Sequence, residues 1–378
     1  MNSLEEEFPI KAEQAYFNNA SYTPMSKSAI KAITRALEEY SLSGPSDEYY
    51  LKLKEGGNAA RAVLRKVLNV QESSLVFTES ATQSINLVAN GFKLSRGDVV
   101  ITRGGASEHP SNYLPWQYYI PRKGARIIDL QADSLGFPDL SELDSELKKS
   151  NAKLVVISHV LYNLGTIQPV EEIGRIIHER GALFFLDVSQ SIGNIEVDLS
   201  RINCDYAAGT AAKWICGPLG LGLFYCKQQA LGYLDPLNFG PNACTYTPDG
   251  KFSESDTALR LQEGFRNWAY CHGLVAAMYL ITLIGQSNIT KHNIELGNQI
   301  IQSLSKDFKF IGSSDPKTRT SIIPFETRAK PIDIVSKLGK QKITVAEREI
   351  KEKKILRISP HFYNDGEETN RLISALNS

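Results

Sequence analysis

The sequence lacks an excess of charge of either sign. Lysine plus arginine and aspartate plus glutamate both total 42 among 378 residues. A chain without a net field does not favour nucleic acid, an anionic membrane or a polyacidic partner. The sequence also lacks an apolar run long enough to span a bilayer, and its acidic start, MNSLEEEF, lacks the basic-then-apolar order of a signal peptide. We therefore expect no nucleic-acid or membrane partner, and a cytoplasmic location.

Cysteine is scarce and irregularly spaced. No CxxC pair connects the five cysteines, which are Cys204, Cys216, Cys226, Cys244 and Cys271. An odd number of isolated thiols fits a reducing compartment better than a disulfide framework. We expect neither disulfides nor a metal site.

The chain is long enough for two domains, because its length exceeds the usual size of one hydrophobic core. After two helical segments, apolar runs such as LVFT, DVVIT, LVVIS and ALFFLDV alternate with further helical segments. Runs without polar alternation indicate strands buried on both faces, which is typical of a parallel sheet covered by helices. The pattern predicts a large α/β domain at residues 20–250, in which DYAAG and LGLFYCK end the sheet as a hairpin-like return. Residues 1–19 and 251–378 are predicted to form a smaller α+β domain.

Candidate site residues follow the apolar runs, because ligands of parallel sheets bind outside the carboxyl ends of the strands. After LVFT come Glu79, Ser80, Ala81 and Thr82, and then a helix. Free amide groups and the positive end of the helix dipole suit a phosphate at such a turn. A simple N-cap by Ser80 or Thr82 explains the same residues equally well.

Two further strand ends carry polar residues. His109 follows DVVIT, although a lone loop histidine is more often structural or solvated. Asp187 closes the run ALFFL and is followed by Ser189 and Gln190. A carboxylate at the end of a buried strand needs a cation or a capping role, and the cap is the simpler explanation.

Lys213 lies in DYAAGTAAKWICGPLGLG, among alanines, glycines and apolar residues. Lysine ordinarily keeps its ammonium in water, and desolvation lowers its pKa and makes the amine nucleophilic. A phosphate site, a histidine, a buried acid and a buried lysine, in that order along one sheet, fit pyridoxal 5'-phosphate. This cofactor needs a lysine for a Schiff base, a carboxylate for its pyridine nitrogen and an anion site for its phosphate.

The motifs together resemble a fold-type I pyridoxal-phosphate enzyme of the class V aminotransferase superfamily, which contains cysteine desulfurases, isopenicillin N epimerase-like proteins and kynureninase. The resemblance runs from AYFNNASYTPM through FTESATQSINLVANGF, SEHPSNYLPWQ, ISHVLYNLGTIQPVEEIG and GTAAKWICGPLGLG to LRISPHFYNDGEETNRLISAL. It implies a mainly parallel sheet of the seven-stranded type, with helices covering it, and a smaller α+β C-terminal domain. It also implies a homodimer, because this fold type forms its sites at a subunit interface.

The resemblance assigns roles around the cofactor ring. Lys213 would form the Schiff base and later move the Cα proton. Asp187 would pair with the pyridine nitrogen, and Gln190 would hydrogen-bond the phenolic oxygen. His109 would stack on the ring face and serve in proton transfer.

The remaining implied roles concern the phosphate and the substrate. Ala81 and Thr82 would bind the phosphate through backbone and hydroxyl, joined by Thr210. Arg357 would clamp the α-carboxylate of a small amino-acid substrate. Asn19 would lie near the substrate entrance.

Several positions depart from the pattern of the superfamily. Ala212 stands where many relatives carry a phosphate-binding histidine, and Phe265 stands where a threonine often reaches the partner subunit's phosphate. Arg266 could compensate, although a surface or subunit contact explains it slightly better. Tyr162 stands where desulfurases carry an asparagine beside the cofactor, and Asn163 follows one residue later. The polar contact of that asparagine is therefore either remade by one of these residues or lost.

The segment KLGKQKITVAEREIKEKKILRIS has no cysteine, whereas cysteine desulfurases carry there the cysteine that accepts sulfur. Persulfide chemistry needs a thiolate at the substrate. The sequence therefore predicts an enzyme that acts at Cα of a small amino acid, with class V transamination ranked first. Cysteine or selenocysteine lyase-like (or desulfurase-like) elimination and epimerisation follow. A non-catalytic binding protein on the same scaffold is the alternative from another class, motivated by Ala212 and Phe265.

Overall fold

The structure is a computed structural model that describes residues 4–44, 46–104, 108–240, 243–262, 264–265 and 267–378. The strands are β1 Ala15–Tyr16, β2 Leu75–Thr78, β3 Val99–Arg103, β4 Arg126–Leu130, β5 Ala152–Ser158, β6 Leu183–Asp187, β7 Tyr206–Thr210, β8 Gly222–Cys226, β9 Cys244–Tyr246, β10 Phe252–Glu254, β11 Phe308–Phe310, β12 Ile323–Thr327, β13 Ile343–Thr344, β14 Ala346–Ile350 and β15 Lys353–Ile358. The α-helices are α1 Leu4–Glu7, α2 Ile10–Glu13, α3 Lys27–Ser43, α4 Asp47–Leu68, α5 Ala81–Gly91, α6 Pro110–Arg122, α7 Leu140–Lys149, α8 Val170–Glu179, α9 Leu199–Ile202, α10 Trp268–Ile284, α11 Gln286–Ser303, α12 Pro331–Lys340 and α13 Gly366–Asn377.

A seven-stranded sheet forms the centre of the molecule, in the order β2-β8-β7-β6-β5-β3-β4. The pairs among β7, β6, β5, β3 and β4 are parallel, whereas β8 is antiparallel to both β2 and β7. The predicted mainly parallel sheet is therefore confirmed, and so is the hairpin-like return of β7 and β8. Apolar residues cover both faces of the sheet. Along β3, for example, Val99 and Ile101 belong to one buried cluster and Val100 to the opposite one.

The smaller α+β unit contains a four-stranded antiparallel sheet in the order β11-β12-β15-β14. Its core includes Phe17 from the N-terminal segment, Ile300 from α11 and Leu372 from α13. The N-terminal segment joins this unit because β1 pairs in parallel with β13. The predicted α+β character of this part of the chain is confirmed.

Helix α10 does not follow the predicted division at residue 250. The prediction placed it in the small domain with the rest of 251–378, but it packs against α3 and α4, within the predicted large domain. The approach is close, since a Cβ on Gly273 would lie 2.6 Å from the Ile33 side chain. A helix that buries apolar residues on most of its sides needs neighbours on more than one face, and α3 and α4 provide them. Elsewhere the domain division stays a prediction.

In the described part of the chain, no single helix is long and apolar enough to cross a membrane. Helices α10 and α11 meet the requirement only when taken together, across a bend of 77°.

Candidate active site

A cavity of about 290 Å³ lies at the carboxyl ends of the parallel strands. Segments after β2, β5, β6 and β7 contribute to its wall, as do the N-terminal segment and the strands β14 and β15. The cavity brings together eight of the nine residues for which the sequence predicted a role: Ala81, Thr82, His109, Asp187, Gln190, Thr210, Lys213 and Arg357.

Asn19 is the exception because its side chain does not line the cavity, and its place near the substrate entrance stays a prediction. Its side chain is fully buried. The amide nitrogen donates to the Ser359 carbonyl at 2.8 Å, and the amide oxygen accepts from the Tyr363 hydroxyl at 2.6 Å. Asn19 therefore joins the N-terminal segment to the small unit, and the neighbouring Ala20, Ser21 and Tyr22 line the cavity instead.

The predicted phosphate site lies at the start of α5. Ser80 caps this helix by accepting a hydrogen bond from the Gln83 amide at 3.1 Å, so the capping interpretation holds. Within the described residues, no hydrogen bond engages the backbone N–H of Ala81 or Thr82. The cap and an anion site are therefore compatible, because the cap uses one amide and leaves the first two for a ligand. The Thr82 hydroxyl donates to Ser111 at 2.9 Å, and Ser111 also lines the cavity, although no feature of the sequence singled it out.

Lys213 follows β7 and extends into the cavity opposite Asp187. Burial lowers its pKa to about 8, while the Asp187 charge opposes this shift and Arg357 and Arg348 add to it. Its own carbonyl accepts from the Cys216 amide at 2.8 Å, which fixes the backbone on which the side chain stands. A lysine with this pKa carries a substantial neutral fraction near physiological pH and is a nucleophile and a base.

Asp187 ends β6 with its side chain buried. Its Oδ1 accepts from the Ser189 amide at 2.8 Å within a turn and not at the start of a helix, so Asp187 is not an N-cap, and burial raises the pKa of the carboxyl. Ser189 also lines the cavity, and its hydrogen bonding to Asp187 opposes the effect of burial on that pKa. The cavity therefore presents a buried carboxyl group to a polar ligand.

His109 is the N-cap of α6 and faces the cavity. Its Nδ1 accepts from the Ser111 amide at 3.2 Å, which assigns the proton to Nε2. Burial, followed by the charges of Lys213 and Arg357, lowers the pKa of His109 to about 4, so the ring is neutral. The ring packs edge-on against Tyr162, with 5.0 Å between the centroids.

A buried ion pair supports His109 and was missed by sequence reasoning. Arg103, at the end of β3, donates through Nε to the Glu108 carboxylate at 3.0 Å, and both side chains are inaccessible to solvent. The same carboxylate accepts from the hydroxyl of Ser158, which lines the cavity, and from Asn112 at 3.2 Å. The pair connects the two ends of the segment between β3 and His109. Opposite charges five residues apart, on either side of the sequence GGAS, were the available signal in the sequence.

Two arginines line the opposite wall, and only Arg357 was predicted. Arg357 is buried and donates to the Tyr162 carbonyl at 2.7 Å, to Asn18 at 3.0 Å and to Ser21 at 2.6 Å. Arg348, on β14, also donates to Ser21. Because Arg348 pairs with Ile355, two residues from Arg357 on β15, the two arginines share one face of the small sheet.

Neither guanidinium forms an ion pair with a described residue. Burial lowers the pKa of Arg357, and the neighbouring Arg348 charge lowers it further. Two adjacent cations without a protein carboxylate form a site for an anionic ligand.

The residues that depart from the superfamily pattern lie in different surroundings. Phe265 is buried and packs against Phe77 and Trp268, with centroids 5.9 and 4.9 Å apart. Ala212 lines the cavity, and so does Tyr162, whereas Asn163 is buried elsewhere and donates to the Glu349 carbonyl at 3.4 Å. Arg266 lies outside the described residues.

None of the five cysteines lines the cavity. Cys204, Cys216, Cys226 and Cys271 are buried, which fits the predicted core role of Cys216 and Cys226. Burial raises the pKa of Cys271 to about 12 and that of the other three still further. Such thiols stay protonated and are poor nucleophiles.

A larger groove of about 1100 Å³ lies between α3, α4 and α10. Its lining includes Tyr49, Leu53, His272 and Tyr279 but none of the predicted site residues. Size alone does not make it the reaction site, because the chemical groups converge in the smaller cavity.

Comparisons with known proteins agree with this geometry. The family model Aminotransferase class-V matches residues 15–372. A probable cysteine desulfurase from Methanothermobacter thermautotrophicus is 29% identical over 382 residues, which cover 97% of this chain and 94% of that protein.

Solved structures also match over almost the full length. The apo structure of a cysteine desulfurase from Thermococcus onnurineus NA1 has a TM-score of 0.90 at 25% identity, covering 100% of this chain and 98% of that one. A mutant of the enzyme C-DES, with glycine covalently linked to its pyridoxal-phosphate (PLP) cofactor, has a TM-score of 0.91 at 24% identity, covering 99% of each chain. At that lower identity, the second match shows the fold alone.

Proposed function

The chain belongs to the class V aminotransferase family and is a PLP-dependent enzyme, and on that premise we propose that it is a lyase acting on a small sulfur-containing amino acid. The proposed reaction eliminates the sulfur group from Cβ. The observation that carries the proposal is the lining of the cavity on its substrate side. Arg348, on β14, lies there, and no cysteine lines the cavity.

The side chains of the cavity fit PLP. The free amides of Ala81 and Thr82 at the start of α5 suit its phosphate. Asp187 suits a protonated pyridine nitrogen, and Lys213 suits the aldehyde carbon. Ala212 removes one phosphate contact without removing any of these four.

The proposed mechanism assigns each step to a residue of this chain. When bound, the cofactor withdraws electrons and weakens the bonds at the substrate's Cα. Arg357 and Arg348 hold the α-carboxylate and so orient Cα toward Lys213. The Lys213 amine takes the Cα proton at Nζ, as its lowered pKa allows. The Cβ–S bond breaks with its electron pair going to sulfur, and a Cα–Cβ double bond forms.

The products balance without a protein thiol. The released enamine hydrolyses to pyruvate and ammonia, and sulfur leaves as sulfide when cysteine is the substrate. Desulfuration would instead yield alanine and transfer sulfur to a thiol, the role of the cysteine that desulfurases carry in the segment where this chain has Arg348. The names of the relatives support sulfur chemistry over the transamination ranked first from the sequence, and the lining of the cavity supports elimination over desulfuration.

The test is a product analysis with L-cysteine, supplied PLP and no added thiol or keto acid. We expect pyruvate and sulfide in equal amounts from wild type and neither from Lys213→Ala. Alanine in place of pyruvate would overturn the proposal in favour of desulfuration. Turnover that depends on an added keto acid would favour transamination, and a change in substrate chirality alone would favour epimerisation.

A further inference from the structure

Trp214, the residue after Lys213, contacts a cofactor-site residue through a buried hydrogen bond. Its ring is fully buried, and its indole N–H donates to the Gln190 Oε1 at 2.8 Å. The other end of the same amide is also engaged, because Gln190 Nε2 donates to the Ala20 carbonyl at 2.8 Å. Gln190 lines the cavity, whereas Trp214 does not.

These two contacts fix which way the Gln190 amide faces. An indole N–H only donates and a carbonyl only accepts, so oxygen and nitrogen of the amide are assigned by their partners. The nitrogen carries two hydrogens, and the Ala20 carbonyl takes one. The second N–H remains for a hydrogen-bond acceptor in the cavity.

The indole is itself held firmly. The Trp214 carbonyl is 2.9 Å from His361 Nε2, and the two rings pack edge to face with 5.0 Å between centroids. Asn293 donates to the other ring nitrogen of His361 at 3.2 Å, which assigns the proton to Nε2. A Cβ on Gly193 would lie 2.5 Å from the Trp214 carbonyl oxygen, so the two backbone segments pack closely there.

We propose that Trp214 is a positioning residue that locks the Gln190 amide with its free N–H directed at the phenolic oxygen of the cofactor. A rotated amide would place Oε1 there, and two acceptor oxygens repel each other. The inference depends on the bound cofactor and not on the proposed lyase reaction, so it stands whichever bond the enzyme breaks.

The test compares Trp214→Phe with Trp268→Phe. Trp268 is equally buried, but its indole nitrogen has no partner among the described residues, so it controls for loss of a buried indole. We expect Trp214→Phe to weaken PLP binding by about fivefold, the effect of one neutral hydrogen bond, and Trp268→Phe to leave it unchanged. The pH titration of the bound cofactor's visible absorbance should also move in Trp214→Phe only. Equal effects of the two variants would overturn the proposal.

A second background separates positioning from packing. In Gln190→Leu, Trp214→Phe should cause no further loss of PLP affinity, because the amide that the indole orients is gone. The same loss in both backgrounds would mean that Trp214 acts through packing and would contradict the proposal. Should Trp214→Phe fail to fold, benzothienylalanine at position 214 keeps the ring shape and lacks only the N–H. It should reproduce the fivefold loss, and a wild-type affinity would overturn the proposal.

Discussion

Two walls of one cavity have different origins. On one side, Ala81, His109 and Asp187 each stand at a strand end or helix start next to the central sheet. On the other side, Arg348 and Arg357 project from the hairpin of β14 and β15 in the small unit. The sheet wall presents the groups that suit the cofactor, and the hairpin wall presents two cations that suit a substrate carboxylate.

The two walls differ in what positions their side chains. The sheet wall depends on local sequence and on the order of parallel strands, which place polar side chains at a common edge. The hairpin wall depends on the length of one turn, since only Lys351 and Glu352 separate the paired Ile350 and Lys353. We propose that the sheet wall sets cofactor dependence and the hairpin wall sets the fate of the substrate.

The largest effect is expected on the sheet wall, from Lys213→Ala. Removing the amine to which we assign the transfer of the Cα proton should lower turnover by about a thousandfold. The variant should also lose PLP on gel filtration, because no amine remains to hold it covalently. Absorbance of the eluted protein checks this, with Lys148→Ala on the exposed face of α7 as the control. If the Lys213→Ala variant kept its turnover, Lys213 would not be the central residue of the site.

Glu108→Gln tests whether the buried Arg103–Glu108 ion pair stabilises the sheet wall. The change leaves the Arg103 guanidinium buried without a counter-charge, so the free energy of unfolding should fall by about 3 kcal/mol. Chemical denaturation measures it. Glu179→Gln, which breaks the exposed pair with Arg175, should change stability by less than about 0.5 kcal/mol. Equal losses of stability in the two variants would mean that the buried Arg103–Glu108 pair contributes no more than an exposed ion pair.

Arg357→Lys and Arg348→Lys test the hairpin wall. Each keeps the charge but loses the planar fork that binds a carboxylate through two hydrogen bonds. We expect Arg357→Lys to raise KM by about 10- to 100-fold, with a smaller change in kcat and in PLP affinity. The rise for Arg348→Lys should be smaller, because Arg357 is the more deeply buried. Arg371→Lys on α13 is the control, and a loss of PLP with unchanged KM would contradict the division of roles.

The pH dependence of stability tests the desolvation of Lys213. In the cofactor-free protein the pKa of Lys213 is about 8, against an ordinary value of 10.5, so between these values the unfolded chain binds more protons than the folded one. Its contribution to the free energy of unfolding should therefore rise with pH across this window and be constant below it. The difference between wild type and Lys213→Met, measured by denaturation, isolates the contribution. A flat difference up to pH 10.5 would mean that the amine is solvated.

The smallest effect is expected at the turn of the hairpin wall. Lys351 and Glu352 both have positive φ, 46° and 67°, in a two-residue loop that favours Asn-Gly. The double change Lys351→Asn with Glu352→Gly should raise the free energy of unfolding by about 1 kcal/mol and leave KM unchanged. Lys306→Asn, at a position without positive φ, should give no gain. A rise in KM would show that the turn residues themselves shape the substrate side.

Much of the sheet wall was predictable because its signals are local. The predicted helix after LVFT begins at Ala81, as its Ser80 cap requires, and Asp187 closes its strand as expected. Arg348 and the Arg103–Glu108 pair were missed, since their meaning depends on contacts with Ser21 and Ser158, which are distant in sequence. The partners of Asn19 were not predictable for the same reason, because Ser359 and Tyr363 lie at the other end of the chain.

The sequence by itself determined the α/β class, the order of the strands' polar ends and the environment of Lys213, because hydrophobic periodicity and residue size are local properties. The tertiary structure decided which residues share the cavity, which nitrogen of His109 carries its proton, and which way the Gln190 amide faces. It also decided that α10 packs with the helices of the large domain. These outcomes depend on the three-dimensional positions of hydrogen-bond partners and packing contacts, some of them more than a hundred residues apart, and spacing along a chain does not contain them.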